Sequence, residues 1–118
     1  MAFEVLVRNV DGATTALGSA GSATLVVDRP SGAGGGGLGF NGGELLHLAV
    51  AGCVSNDLFR EATARGVTLT RVVVRARGDF AGEPAVSEGI DYEVEVAGDA
   101  DAATLHDLVE HVDRIAEI

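Results

Sequence analysis

The stretch "NGGELLHLAVAGCVSNDLFREATARG", Asn41 to Gly66, constrains this chain more than any other. From Leu45 to Val54 apolar residues occupy every side of a helix, which marks a helix covered all round. From Ser55 onward the pattern becomes amphipathic, with Leu58, Phe59 and Ala62 opposed to Asp57, Arg60 and Glu61. Asn41 is placed to cap this helix, with Glu44 as its capping-box partner, and Gly66 is placed to stop it. The reading therefore predicts a helix from about Gly43 to Arg65. A chain of 118 residues forms one domain, 1–118, with a core of modest size. Its four Phe, one Tyr and absent Trp give that core few large side chains. A domain this small does not wrap such a helix alone. A sheet on one side and a second copy on the other would cover it, so a homodimer is expected.

Strands flank the helix. "FEVLVRNV" puts Phe3, Val5 and Val7 on one face before an Asp11-Gly12 turn, and "SATLVVD" is a second extended piece. Between Pro30 and the helix lies "SGAGGGGLGFNGG", Ser31 to Gly43, with eight glycines in thirteen residues. After Gly66, "VTLTRVVVRARGDF" carries arginines on its outer face, "AGEPA" turns, and "GIDYEVEV" carries carboxylates on its outer face. As a hairpin these two strands set opposite charges against each other. "DADAATLHDLVEHVDRIAEI" closes the chain as an amphipathic helix capped by Asp99 or Asp101. Its apolar stripe is Leu105, Leu108, Val109, Val112 and Ile115. The order is β-β-α-β-β-α, an α+β fold with an antiparallel sheet packed on a long central helix. The last helix is read as reaching the final residue without a C-cap, which leaves open whether the natural domain continues past Ile118.

Eight basic and eighteen acidic residues give a formal net charge of −10. That disfavours nucleic acid and anionic membrane surfaces as partners. "MAFEVLV" begins as a strand and not as a secretory signal, and the longest apolar run is too short to span a bilayer. A single cysteine forms no intrachain disulfide. A soluble, cytoplasmic protein is expected.

The glycine loop lacks the Lys-Ser or Lys-Thr of a phosphate-binding loop, and its glycines fit almost any spacing, so it reads as a flexible connection and no cofactor is assigned. His47, His106 and His111 lie on two helices. The latter two are five residues apart and do not align, so no metal site is assigned. There is no G-x-S-x-G elbow for a serine hydrolase. Cys53 remains. It sits about ten residues into its helix, about 15 Å from the favourable end of the dipole. Asp57, one turn on, disfavours a thiolate, and Arg60, two turns on, meets Asp57 before it reaches the sulfur. Taken locally, these residues favour a buried, inert cysteine. Activation needs another segment, with Arg8, Arg29 or a residue of a second copy as candidates.

"VVDRP", the glycine loop and "GGELLHLAVAGCVSNDL" together resemble the OsmC-like superfamily of osmotically induced and organic hydroperoxide resistance proteins. Glu44 and Cys53 have the nine-residue spacing of its E-L-L…C helix. The resemblance implies an intertwined homodimer with the central helices buried between two sheets. For the peroxidase members it also implies a thiolate, here Cys53, that attacks the peroxide O–O bond while an arginine and a glutamate hold it. Glu44 is the candidate for the glutamate, with a helix cap alone as the other reading of it; Arg29 and Arg8 are both candidates for the arginine. The resulting sulfenic acid condenses with a second cysteine and is then reduced by external thiols. This chain departs from that pattern twice. Val112 to Ile118, where the second cysteine is expected, contains none. Gly43 stands ten residues before Cys53, where the hydroperoxide-resistance branch has its glutamate.

Two functions follow. One is thiol-dependent reactivity of Cys53 with a small organic hydroperoxide, with turnover weak or lost and reduction left to an external thiol. The other is a non-catalytic dimer that binds an apolar ligand or a protein partner, with Cys53 structural.

Overall fold

The computed structural model describes residues 2–118. In chain order it contains β1 (Leu6–Asn9), β2 (Ala16–Ala20), β3 (Ala23–Val27), a 3-10 turn at Ser31–Ala33, α1 (Gly42–Ala64), β4 (Leu69–Ala81), β5 (Val86–Gly98) and α2 (Ala102–Ile115). The fold is α+β, with two antiparallel sheets and two helices. The chain groups into two compact units that meet in sequence between Leu45 and Leu46.

The first unit is an antiparallel meander in the order β1-β2-β3. It has one strand more than the β-β-α-β-β-α order expected from the sequence. The extra strand β2, "ALGSA", has no β-branched or aromatic residue, so no local propensity signals it. It is extended because it is paired on both sides: Gly18 faces Val7 on β1 and Leu25 on β3. A β-carbon at Gly18 would lie 3.2 Å from Val27 Cγ2, so the bare glycine lets its neighbours' side chains close over the strand.

After β3 the chain makes the glycine loop and returns beside its own strand. Phe40 N–H donates to the Val26 carbonyl at 2.9 Å, and Asp28 N–H donates to the Phe40 carbonyl at 3.0 Å. Gly39 passes so close that a β-carbon there would sit 2.3 Å from the Val26 oxygen. This return delivers Asn41 to the start of α1, where the expected capping box forms. Glu44 N–H donates to Asn41 Oδ1 at 2.8 Å, and Asn41 N–H donates to Glu44 Oε1 at 3.0 Å.

The second unit holds the remainder of α1, the β4–β5 hairpin and α2. Helix α1 stops at Gly66, whose φ of +69° suits the left-handed stop, while Val67 N–H caps the Ala62 carbonyl at 2.9 Å. The core is Val54, Leu58 and Ala62 of α1 with Leu108 and Val112 of α2. Val72 and Val74 of β4 and Tyr92, Val94 and Val96 of β5 pack against it. Of the two caps considered for α2, Asp101 serves, accepting from Thr104 N–H at 2.8 Å. Asp99 instead takes Thr68 N–H at 2.7 Å, tying the end of β5 to the segment before β4.

The hairpin carries the expected ladder of opposite charges, offset by one step. Arg75 is registered opposite Glu93 and Arg77 opposite Asp91. The ion pairs run diagonally, Arg75 to Glu95 at 3.1 Å and Arg77 to Glu93 at 2.9 Å. Long side chains lean along the strand and span the diagonal.

Candidate thiol site

Cys53 is half-buried in the middle of α1. Burial pushes its thiol pKa up, and the charges of Asp57 and Glu117 push the same way, against a smaller opposing pull from Arg60. The structure therefore shows the local arrangement anticipated from spacing. Arg60 does not lie free over the sulfur. Its Nη1 is 3.2 Å from Asp57 Oδ1 and its Nε donates to Glu61 Oε2 at 3.2 Å. Glu61 in turn lies 2.7 Å from His111 Nε2 on α2. The one cation of this helix face is shared between two carboxylates, which leaves little positive field for a thiolate.

Glu44 and Arg29 belong to the first unit. The Glu44 carboxylate is engaged in the capping box. Arg29 sits at the mouth of the glycine loop, with its Nε donating to the Ala33 carbonyl at 3.1 Å. Among the described residues its terminal nitrogens make no hydrogen bond.

The most densely bonded polar group of the first unit is one the sequence reading passed over. Asp28 is only 3% exposed, yet it accepts five hydrogen bonds. The Thr15 hydroxyl donates at 2.7 Å and the Thr14 hydroxyl at 2.9 Å. The N–H groups of Arg29, Gly36 and Leu38 donate at 2.8, 3.2 and 3.3 Å. Led by the Thr15 hydroxyl, these donors hold the carboxyl well below the usual carboxylate range despite burial. The glycine loop is thus an anion cradle filled by the chain's own aspartate. The clues in sequence are an Asp three residues before the loop and a Thr-Thr pair at the β1–β2 turn. Neither spells out a partner thirteen or more residues away.

His47 packs edge-on to Phe80, ring centroids 6.3 Å apart, and lies over Gly78 of β4, where a β-carbon would fall 2.5 Å from its Nε2. His106 lies 3.2 Å from Glu110 on its own helix. No cluster of three or more metal-ligating side chains forms among the described residues. No helix among the described residues is long and apolar enough to cross a membrane.

A second polar feature lies between β5 and α2. The Tyr92 hydroxyl donates to Asp113 Oδ1, and burial with that neighbouring charge pushes the phenol up to about 12. Val94, Val109 and Arg114 line the same open groove.

No curated protein matches the sequence. Solved structures match the fold across nearly the whole chain. An OsmC-like protein from Mycoplasma pneumoniae is 13% identical with a TM-score of 0.81, covering 99% of this chain and 84% of that one. The organic hydroperoxide resistance protein OhrB of Bacillus subtilis is 17% identical with a TM-score of 0.66, covering 99% and 87%. An organic hydroperoxide resistance protein OsmC from Legionella pneumophila is 14% identical with a TM-score of 0.67, covering 99% and 85%. The family model described as OsmC-like protein matches residues 34–118, a segment that holds most of the glycine loop, all of α1 with Cys53, the hairpin and α2. The chain belongs to the OsmC-like family.

Proposed function

We propose that this protein reacts with small organic hydroperoxides through Cys53, in a slow or single-turnover reaction completed by an external thiol in the cytoplasm. The observation that carries the reading is the position of the chain's single cysteine, midway along the central helix of an OsmC-like fold. The thiolate attacks the O–O bond, giving Cys53 sulfenic acid and an alcohol. Without a second cysteine, the sulfenic acid is released by a thiol from solution, first as a mixed disulfide and then as free Cys53. The resemblance implies an arginine and a glutamate at the reacting oxygens, and this reading takes Arg29 and Glu44 for those parts.

The reading includes a homodimer. Leu46, Leu48 and Phe59 on α1 are exposed in a single chain, Leu48 by 47%, the first two within the stretch that is apolar all round. On the first unit Phe3, Val5, Leu6 and Val7 are exposed as well. Removing such residues from water is the driving force for pairing two copies.

The test is the thiol itself. Addition of cumene hydroperoxide is expected to consume the free thiol stoichiometrically and to yield a trappable sulfenate, with recovery on adding dithiothreitol. A thiol that survives excess hydroperoxide, or hydroperoxide loss unaltered in Cys53→Ser, removes the proposal.

One observation favours a second reading, binding of an apolar ligand. The first unit has a groove of about 280 Å³ whose walls include Val5, Val7, Leu25, Val27 and Leu45. Its lining is almost wholly apolar, as ligand clefts usually are. Saturable uptake of a fatty acyl probe by Cys53→Ser would support this reading.

A further inference from the structure

Asp57 is 6% exposed and is satisfied on only one side. Its Oδ1 meets Arg60 Nη1 at 3.2 Å, while its Oδ2 is sealed from solvent and has no hydrogen-bond partner. An unsatisfied oxygen on a buried carboxylate is costly, and native structures normally supply a donor. Helix geometry indicates where one is available. Side chains on an α-helix lean toward its N-terminus, so Asp57 covers the turn holding Cys53 and Val54, four and three residues earlier. Val54 has no donor. Cys53 carries an S–H, and the two side-chain rotamers open to a helical cysteine are related by one rotation about Cα–Cβ.

We propose that the Cys53 thiol donates its S–H to Asp57 Oδ2, so that Asp57 holds the cysteine protonated and acts as a built-in brake on its reactivity. As a brake on peroxide chemistry it rests on the reading given above; as a contact it is tested without any peroxide. The charged groups acting on the sulfur are Asp57 and Arg60 on α1 and Glu117 beyond α2. Glu61 holds Arg60 from the other side and is itself held by His111. Two negative charges thus act on the sulfur against one cation that is already shared.

The balance of the proposed reaction shows where the brake acts. Cys53–SH and ROOH give Cys53–SOH and ROH. The S–O bond forms as the O–O bond breaks, sulfur loses two electrons to the peroxide, and the thiol proton ends on the departing alkoxide. Only the thiolate attacks, so a thiol anchored to Oδ2 must first surrender its proton.

Because the chain has one cysteine, thiol measurements report a single group. Asp57→Asn preserves size and an acceptor for Arg60 but removes the charge. The pH midpoint of iodoacetamide alkylation is expected to fall by about one unit, which is about a ten-fold faster alkylation below the midpoint. Glu117→Gln, which removes a charge without removing an acceptor for the thiol, is expected to give a smaller fall. An Asp57→Asn protein that folds and keeps the wild-type midpoint, or raises it, overturns the proposal. The wild-type protein gives an independent readout. Its S–H infrared band is expected to lie below that of an unbonded thiol, and an unshifted band overturns the contact whether or not any variant folds. If the midpoint falls as expected while hydroperoxide leaves Cys53 reduced, the peroxide reading fails and the Asp57 contact stands.

Discussion

His111 Nε2 on α2 lies 2.7 Å from Glu61 Oε1 on α1, joining two helices across fifty residues of chain. Donation from His111, with Arg60 assisting, lowers the Glu61 pKa below its ordinary value of 4.5. A carboxylate with a depressed folded pKa contributes stability that is present above 4.5 and lost as pH falls through the folded value. Glu61→Gln is therefore expected to melt below wild type at neutral pH, with the gap closing on acidification under 4.5. Melting curves by circular dichroism across that range check it; a constant gap would mean the loss is one of packing.

Asp28 predicts a different acid limb. Its five donors, led by the Thr15 hydroxyl, hold the carboxyl well below the usual carboxylate range, so its contribution to stability persists into acid. Asp28→Asn turns an acceptor into an amide whose N–H₂ faces N–H groups. It is expected to lower the urea midpoint more than Asp91→Asn on the exposed face of β5, and to speed amide exchange at Gly36 and Leu38. Exchange left slow at both positions would show that the loop holds its shape without the carboxylate.

Helix α1 carries both buried core positions and large exposed apolar ones. Leu58 is fully buried within the second unit, and Leu58→Ala is expected to cost about 2–5 kcal/mol in denaturant unfolding. Leu48 is exposed in one copy, so Leu48→Glu is expected to leave the fold intact and to shift sedimentation from two copies toward one. Unchanged sedimentation at low concentration would remove Leu48 from any interface between copies.

Glu44 has a cap to maintain and a proposed part in the chemistry, and two substitutions separate them. Asn41→Ala removes the reciprocal cap and is expected to cost about 1 kcal/mol. Glu44→Gln keeps an acceptor for Asn41 N–H and is expected to preserve the melting temperature while slowing oxidation of Cys53. Equal oxidation rates in Glu44→Gln and wild type would leave Glu44 as a cap alone.

The β4–β5 charge ladder is a weak term. A double-mutant cycle on Arg75 and Glu95, paired at 3.1 Å on an exposed face, is expected to give about 0.2–1 kcal/mol, falling further in high salt. A larger, salt-insensitive coupling would mean that this face is covered.

Periodic and local features were legible from the chain alone. The apolar circumference of Leu45 to Val54, the Asn41–Glu44 box, the Gly66 stop and the alternating charges of β4 and β5 each depend on residues a few positions apart, so spacing suffices to read them. The same holds for the opposition of Asp57 and Arg60 near Cys53, which is a matter of helical turns. Tertiary structure alone decided the rest. "ALGSA" is a strand only because β1 and β3 hold it from both sides, and Asp28 is a buried anion only because Thr14, Thr15, Gly36 and Leu38 converge on it. The bond between Glu61 and His111 and the sealed Oδ2 of Asp57 likewise required segments packed in space. Propensity and period are carried by neighbouring residues, whereas burial and hydrogen-bond satisfaction are set by whatever the folded chain brings alongside.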